Sequence, residues 1–336
     1  MILVTGGTGL VGQEILRVLV AAGIETIALV RTAEGEAFAR LLGADVVRGV
    51  VEDAAAWRHP FPSLAGIVHA AAIVAEPVTW DRFEAVNVQG TRLAADTALE
   101  RGVPLVHISS VAVYGRRAAD DGPYSITEDY DGGRIEERDY YARSKRMAEE
   151  VVFDRAGHDL QTCALRPCVV YGPGDRQLLP RLLGLARRGW LPKIGSGTIP
   201  MALVHATSVA QATLAAVQSG RGWGRAFNVT GDAPVTANDL YEAAHSVAGR
   251  RIRTVPVPAG PALMLARAAE MGLRIIGPRR YPGTLQGAVR FLRGGDAYNA
   301  DAAREVLGWR PTVNHQTALV EAFQAIAARQ AAQPAE

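Results

Sequence analysis

The chain has 336 residues, of which 49% are hydrophobic and 21% are charged, and its net charge is +2. This near balance excludes a broad electrostatic surface for nucleic acid, so we expect no nucleic-acid partner. No uninterrupted apolar run reaches the ~20 residues of a membrane span. Cys163 and Cys168 lie an odd number of positions apart in a predicted strand, so their side chains point to opposite faces. We therefore expect no disulfide and a reducing, cytoplasmic compartment.

An apolar run at the start of the chain leads directly into a glycine-rich turn and then an amphipathic helix. The run is Ile2-Leu3-Val4-Thr5, and the turn follows as Gly6-Gly7-Thr8-Gly9-Leu10-Val11-Gly12. Three evenly spaced glycines would allow a tight bend, a close backbone approach to a pyrophosphate, and tight packing of helix on strand. The helix N-terminus would face the negative charge. The pattern predicts a dinucleotide site at Gly6, Thr8, Gly9, Leu10, Val11 and Gly12.

The end of the second predicted strand, Thr26–Val30, bears on the choice of cofactor. Dinucleotide folds that prefer NAD usually place Asp or Glu near this point, where it binds the ribose 2′-hydroxyl. This chain has Arg31-Thr32 there instead. A guanidinium suits a 2′-phosphate, so the sequence favours NADP, although an arginine stacked on adenine would be compatible with NAD.

Two further strands are predicted between Asp45 and Ala72. The first, Asp45 to Val51, is followed by Asp53, which would either bind the adenine amino group or cap a short helix. The second strand ends in small residues, which let a ligand lie against the backbone at Ala70, Ala71 and Ala72. His69 has no partner at metal-ligand spacing, so we expect a structural role for it and no metal site.

Polar residues follow in the next predicted helix and strand. Asn87 lies in the helix, where a buried amide would brace a neighbouring strand end. The fifth strand, Leu105–Ile108, is followed by Ser109 and Ser110, at the edge where open α/β sheets bind ligands. The loop from Arg116 to Arg138 is long for a compact domain, which is typical of a functional lid.

Tyr141 and Lys145 open the helix after that loop. Their spacing of four residues places them on one helical face, close enough for an ammonium to act on a phenol. A neighbouring cation favours the phenolate and would bring its pKa nearer to neutral. Tyr140 precedes Tyr141, but only Tyr141 has a lysine four residues later.

The alternation of strands and helices predicts an α/β fold, a doubly wound parallel sheet of the Rossmann type with a smaller C-terminal substrate-binding lobe. We place the NAD(P)-binding domain at 1–175, with elements at about 203–232 returning to it. The lobe would occupy 176–330, and 331–336 would be a frayed tail.

Together these residues resemble a known family, the extended short-chain dehydrogenase/reductases, also called the NAD-dependent epimerase/dehydratase superfamily. The matching motifs, in the family's order, are Thr5 to Gly12, Asp53, His69 to Ala72, Asn87-Val88-Gln89-Gly90-Thr91, Ser109 to Gly115, Tyr141-x-x-x-Lys145 and Leu165-Arg166-Pro167. The segment Tyr171-Gly172-Pro173-Gly174-Asp175 is similar to the branch of 3β-hydroxysteroid dehydrogenases and dihydroflavonol reductases.

The resemblance implies roles for the matching positions. Ser110 would be the catalytic hydroxyl, Tyr141 the general acid/base, and Lys145 the residue that holds the nicotinamide ribose and lowers the Tyr141 pKa. Asn87, Ser109 and Tyr141 would also contact the cofactor, and Pro167 and Val169 would wall the nicotinamide. Ser109 is the alternative to Ser110 as the catalytic hydroxyl. The family commonly dimerises through a four-helix contact, so a homodimer would use the helices that contain Asn87 and Tyr141.

Three functions fit these features. The first is a dehydrogenase or reductase that transfers a hydride between nicotinamide and a secondary alcohol or ketone. The second is a nucleotide-sugar epimerase, whose substrate diphosphate would meet Arg187, Arg188 and Lys193. A 4,6-dehydratase is disfavoured, because Val111-Ala112 stand where that group carries Asp-Glu. The third is a non-catalytic dinucleotide-binding protein.

The small-molecule substrate is not predicted by these motifs. The apolar segment from Pro258 to Tyr281 would cover a bulky substrate, pack in an ordinary core, or form a membrane-surface helix.

Overall fold

The computed structural model describes residues 1–57, 61, 63–74, 76–115, 125–231, 233–276 and 285–332, with the backbone alone at 273–276. The predicted lid at 116–138 therefore lies partly outside the described residues. The same holds for the end of the apolar segment at 258–281 and for most of the predicted tail at 331–336.

The strands of the described chain fall into one large sheet and three small pairs. They are β1 Ile2–Thr5, β2 Thr26–Val30, β3 Asp45–Arg48, β4 Gly66–His69, β5 Leu105–Ile108, β6 Thr162–Pro167, β7 Val169–Tyr171, β8 Trp190–Ile194, β9 Pro200–Met201, β10 Leu203–His205, β11 Arg225–Val229, β12 Val235–Thr236 and β13 Arg253–Val257. Within the described residues, the large sheet has seven strands in the order β11-β6-β5-β4-β1-β2-β3.

All neighbouring strands of the large sheet are parallel. Every residue of β1 and β2 is buried, as expected for a parallel sheet with helices on both faces. The chain runs outward from β1 to β3 on one side and from β4 to β6 on the other. The carboxyl ends of β1 and β4 therefore flank the point where the strand order reverses. These features confirm the predicted doubly wound fold.

The helices cover both faces of this sheet and build the C-terminal part of the chain. They are α1 Leu10–Ala21, α2 Ala33–Leu41, α3 Ala54–Trp57, α4 Trp80–Phe83, α5 Gly90–Arg101, α6 Tyr140–Ala156, α7 Leu178–Arg187, α8 Ala206–Ser219, α9 Ala237–Ala248, α10 Ala259–Ile276, α11 Leu285–Arg293, α12 Asp301–Val306 and α13 His315–Ala332. Helices α1 and α8 contribute to one core, which includes Leu16 and Val209, whereas α5 and α6 contribute to the core that includes Ala94 and Val152.

A third core lies among the C-terminal elements. Helices α7, α9 and α13 bury Leu183, Leu240 and Phe323 in one cluster. The small sheets pair β10 with β7, β12 with β9, and β13 with β8. Strand β11 joins the large sheet beside β6, as predicted for the returning segment. The proposed division at residue 175 stays a prediction.

One strand boundary and one helix type differ from the sequence prediction. Strand β3 ends at Arg48, whereas the prediction extended it to Val51. The segment Glu84–Gln89, which contains Asn87, forms a π-helical turn before α5. Such turns are frequent at functional sites.

Cys163 and Cys168 are both free thiols, and both are buried. In the described part of the chain, no helix combines the length and apolarity needed to cross a bilayer. The same residues contain no group of three or more His, Cys, Asp or Glu side chains arranged to hold a metal ion.

Candidate functional site

The turn after β1 has the shape that the glycine spacing predicts. Gly6 has a φ of +69°, and a Cβ there would lie 2.6 Å from the backbone nitrogen of Ala71. A Cβ at Gly12 would overlap the carbonyl oxygen of Gly6. Gly9 is the N-cap of α1 and has no side chain that could accept hydrogen bonds from the first helical turn. Partly exposed residues, Thr8, Leu10 and Val11, surround it. The turn is a cradle that side chains would fill, and it fits a dinucleotide pyrophosphate.

The ends of β2 and β3 form an exposed rim beside this turn. Arg31 is exposed and follows β2 directly, where this fold places the adenosine ribose. Thr32 caps α2 by accepting a hydrogen bond from the Gly35 nitrogen at 3.1 Å. Asp53 Oδ1 accepts one from the Ala55 nitrogen at 2.9 Å. Of the two roles predicted for Asp53, the structure shows the helix cap.

Asn87 braces the segment that follows β4. Its Oδ1 accepts from the Ile73 nitrogen at 2.7 Å. Its Nδ2 donates to the Ile73 oxygen at 2.9 Å and to Ser144 Oγ at 2.9 Å. These contacts confirm the bracing role and use both side-chain N–H groups within the protein.

His69 ties the same segment to the sheet. One ring nitrogen is hydrogen-bonded to Thr5 Oγ1 at 2.9 Å, and the other to Thr91 Oγ1 at 3.1 Å. The predicted structural role is thereby confirmed. The half-buried residues Ala70, Ala71 and Ala72 are held beside the glycine turn.

Ser110 and Tyr141 meet at the carboxyl end of β5. Ser110 caps a short 3-10 turn, and its Oγ accepts from the Ala112 nitrogen at 3.2 Å. Its hydroxyl also lies close enough to the phenol of Tyr141 to lower the pKa of that phenol. Tyr141 stands in the first turn of α6, which Asp139 caps. The structure thus brings together two of the three predicted catalytic residues.

Burial raises the pKa of the Tyr141 phenol above its ordinary value. The nearby Ser110 hydroxyl opposes this effect on the pKa, and the charge of Asp139 adds to it. Lys145 is not among the groups that produce this shift, so the predicted lowering of the Tyr141 pKa by Lys145 stays a prediction. At neutral pH the phenol keeps its proton, which suits a general acid.

Lys145 is buried near this pair and is only 4% exposed. Its Nζ donates to the carbonyl oxygen of Ile108, the last residue of β5, at 2.7 Å. Burial lowers the pKa of Lys145 to about 8, while the negative charge of Glu149 acts in the opposite direction. The lysine is therefore a cation in a poorly hydrated site, and its charge depends on a nearby acid.

A buried ion pair continues the helical face that carries Lys145. Glu149 lies four residues later, and Arg166 Nε donates to both of its carboxylate oxygens at 3.1 Å. Arg166 Nη2 forms a further contact with Glu149. Ser109 Oγ also donates to Glu149, at 2.5 Å. Sequence reasoning assigned no role to Glu149, although its spacing of four from Lys145 was a usable signal.

Arg166 links this pair to more distant parts of the chain. Its Nη1 donates to Tyr114 Oη at 2.9 Å, and Tyr114 Oη donates to Asn228 Oδ1 at 2.8 Å. Asn228 Nδ2 donates to the backbone oxygens of Ile126 and Asn299, at 3.1 Å and 3.0 Å. We call the network of Glu149, Arg166, Tyr114 and Asn228 the floor of the site. It joins segments that are more than 100 residues apart in the sequence.

A small cleft begins at Val111, the residue that follows Ser110. Its apolar walls come from Val111, Cys168, Val169, Met201, Phe291 and Tyr298. Among the described residues that line it, Asp296 alone carries a charge. Val169 follows Pro167 at the end of β6, so the cleft adjoins the predicted nicotinamide wall. Arg187, one of the cations expected to meet a diphosphate, instead donates to Gln330 at 2.7 Å.

Relatives of known activity resemble the chain along much of its length. It is 29% identical over 98% of both chains to 4-hydroxy-2-methyl-3-oxo-4-farnesyl-3,4-dihydroquinoline-1-oxide ketoreductase from Stigmatella aurantiaca. It is 33% identical over 59% of both chains to 2-alkyl-3-oxoalkanoate reductase from Stenotrophomonas maltophilia.

The fold is also found in solved structures. The UDP-glucose 4-epimerase of Thermotoga maritima, in complex with UDP-glucose, superposes with a TM-score of 0.75 over 98% of this chain and 99% of its own. At 20% identity this likeness concerns the fold alone. The sequence profile of a single family matches residues 2–230. The chain is therefore an enzyme of the NAD dependent epimerase/dehydratase family.

Proposed function

We propose that this enzyme is an NAD(P)-dependent reductase or dehydrogenase that acts on a ketone or secondary alcohol with apolar substituents. The observation that carries the proposal is the proximity of the Ser110 hydroxyl to the Tyr141 phenol, with a mostly apolar cleft that begins at the adjacent residue Val111. A proton donor and a second hydroxyl would thereby be available to the same carbonyl oxygen of a substrate.

Each part of the site has a role in this proposal. The nicotinamide, when bound, supplies or accepts the hydride. Tyr141, whose raised pKa keeps it protonated, would give its proton to the carbonyl oxygen during reduction. Ser110 would donate a hydrogen bond to the same oxygen as negative charge develops there. Lys145 would hold the nicotinamide ribose.

The apolar cleft supports an apolar substrate. The names of both relatives describe reduction of oxo compounds with alkyl or farnesyl groups. A diphosphate would need cations, and the described lining of the cleft offers only Asp296 as a charged residue. These observations favour the reductase over the nucleotide-sugar epimerase.

Three finer points belong to the same proposal. NADP is favoured over NAD because Arg31 follows β2, where an NAD-binding fold usually has an acid. A homodimer would form through α5 and α6. The compartment would be cytoplasmic.

The test is turnover of NADPH and NADH with a panel of substrates. We expect net oxidation of NADPH with alkyl ketones and 3-oxo acids. Isomerisation of a UDP-sugar without net oxidation would replace the reductase with the epimerase. Cofactor binding without turnover of any substrate class would instead indicate a non-catalytic protein.

A further inference from the structure

Helix α10 presents a row of large apolar side chains to solvent. Met264, Leu265 and Met271 are 74%, 69% and 55% exposed. Met264, Ala268 and Met271 are spaced as i, i+4 and i+7, so they lie along one helical face, with Leu265 beside them. We call these four residues the apolar row.

The acidic group of α10 is turned away from the apolar row. Glu270 is the sole acidic residue of the helix, and it is buried on the opposite face with Ala262 and Ala266. Its carboxylate accepts from the backbone nitrogen of Gln286 at 2.9 Å and from the Gln286 side chain at 2.6 Å. Arg267 is exposed on the flank of the row. The exposed surface of α10 therefore combines apolar side chains with positive charge.

The surrounding sequence concentrates this positive charge. The described side chains of α10 and α11 include Arg267, Arg290 and Arg293 against one acidic residue, Glu270, whereas the whole chain has a net charge of only +2. Helix α11 packs against α10 and carries Arg290 and Arg293 in its last turn. An apolar helical face with an arginine-rich border is the pattern of a helix that lies in the plane of a membrane interface.

We propose that α10 and α11 dock the enzyme on an anionic lipid bilayer, with the apolar row inserted at the boundary between headgroups and acyl chains. Anionic headgroups would attract the arginines, and the acyl region would take the apolar row out of water. A contact between two copies through this face is less favourable, because it would bring two arginine-rich borders together.

This docking would also place the cleft beside the lipid. Phe291 of α11 lines the cleft, so the same helical pair forms part of its wall and the docking face. The idea that an apolar substrate would reach the cleft from the lipid rests on the proposed function. The docking itself does not.

The test is sedimentation of the full-length protein with lipid vesicles. We expect it to sediment with vesicles of phosphatidylcholine and phosphatidylglycerol, less with phosphatidylcholine alone, and less as salt is raised. Because sedimentation needs no turnover, its outcome is independent of the substrate panel. Failure of the unmodified protein to sediment with either vesicle would overturn the proposal.

Matched variants locate the docking face. Met264→Glu and Leu265→Glu should each weaken vesicle binding by about tenfold or more, since each puts a charge where an apolar side chain would enter the lipid. Leu41→Glu is the control, because Leu41 is 82% exposed on α2. All three variants should melt near the native temperature.

Two results would count against this face. Equal loss of vesicle binding in the control would mean that the effect is not specific to α10. A native protein that is oligomeric, with Met264→Glu making it monomeric and leaving vesicle binding unchanged, would identify the apolar row as a contact between copies.

Discussion

The buried floor of the site and the exposed rim at the ends of β2 and β3 both contain ion pairs, but in different surroundings. In the floor, the side chains of Arg166 and Glu149 keep only 12% and 7% of their surface exposed. On the rim, Glu36 pairs with Arg48 at 2.7 Å and with Arg40 at 3.2 Å, and these arginine side chains stay 58% and 57% exposed.

The difference determines what each region can control. Removing one partner of a buried pair leaves an uncompensated charge, which costs about 3–5 kcal/mol. An exposed pair is worth about 0–1 kcal/mol, because water replaces either partner. The floor should therefore set stability and protonation, and the rim should affect only the choice of cofactor. Substitutions in one region with matched controls in the other test this division.

The largest expected effect is that of Tyr141→Phe. The change removes the proton donor and keeps the ring, so kcat/KM should fall by about 10²–10⁴, with NADPH binding retained. Steady-state kinetics and a fluorescence titration with NADPH measure the two quantities.

Tyr140→Phe is the control for this substitution. The Tyr140 ring packs against Trp80 and Phe83, with centroid separations of 5.8 and 5.9 Å, so its loss of a hydroxyl should leave kcat/KM near native. If Tyr140→Phe abolished turnover and Tyr141→Phe did not, the acid would be the neighbouring residue.

Local sequence predicted the parts of the site that depend on short spacings. The turn at Gly6 and Gly12 follows from steric needs that only glycine meets, and those needs are visible in the motif. The single helical face of Tyr141 and Lys145 follows from a spacing of four. Burial was not predictable in the same way, because it depends on packing by distant segments. The raised pKa of Tyr141 was therefore missed.

Contacts between distant segments were also not predictable from the sequence. Asn228 bonds the backbone at Ile126 and Asn299, and the ring of Tyr114 stacks on that of Tyr298 at 5.9 Å. No periodicity or motif pairs residues so far apart. The local alternative for Asp53, a helix cap, was predictable from the sequence because a cap needs only its own neighbours.

Glu149→Gln should show the cost of breaking the buried pair. It removes the charge opposite Arg166 and should lower the free energy of unfolding by about 3–5 kcal/mol. Denaturant titration measures this change. Glu36→Gln on the rim is the control, with a much smaller expected loss because its ion pairs are exposed to water. Equal losses would mean that the two regions do not differ electrostatically.

The pH dependence of reduction should depend on the charge of Lys145. Its pKa is about 8, so kcat/KM should fall as pH rises through about 8 and the ammonium that positions the ribose is lost. Tyr141, whose pKa is raised, would titrate at higher pH. A pH profile of kcat/KM from neutral to alkaline pH measures the midpoint.

The free energy of unfolding should rise with pH over the alkaline range in which kcat/KM falls. The folded pKa of Lys145 lies below its ordinary 10.5, so between these values the unfolded chain binds more protons, and this residue's contribution to stability rises with pH.

A double variant, Glu149→Gln with Arg166→Met, removes both charges of the pair. It should move the fall in kcat/KM to lower pH, because Glu149 raises the Lys145 pKa. An unmoved midpoint would contradict the coupling of Lys145 to Glu149.

The smallest expected effect is that of Arg31→Asp on the rim. Arg31 is exposed, so the substitution should leave the melting temperature and kcat near native. Loss of one charge-assisted hydrogen bond to a 2′-phosphate should raise the KM for NADPH by about 10–100-fold. The KM for NADH should not rise, because an acid at this position can bind the 2′-hydroxyl.

The control is Arg40→Asp, which makes the same charge change one helix length away. It should alter the ratio of the KM values for NADPH and NADH far less. An unchanged ratio in Arg31→Asp would remove Arg31 from the 2′-phosphate site, and a fall in kcat there would show that the rim is not independent of the floor.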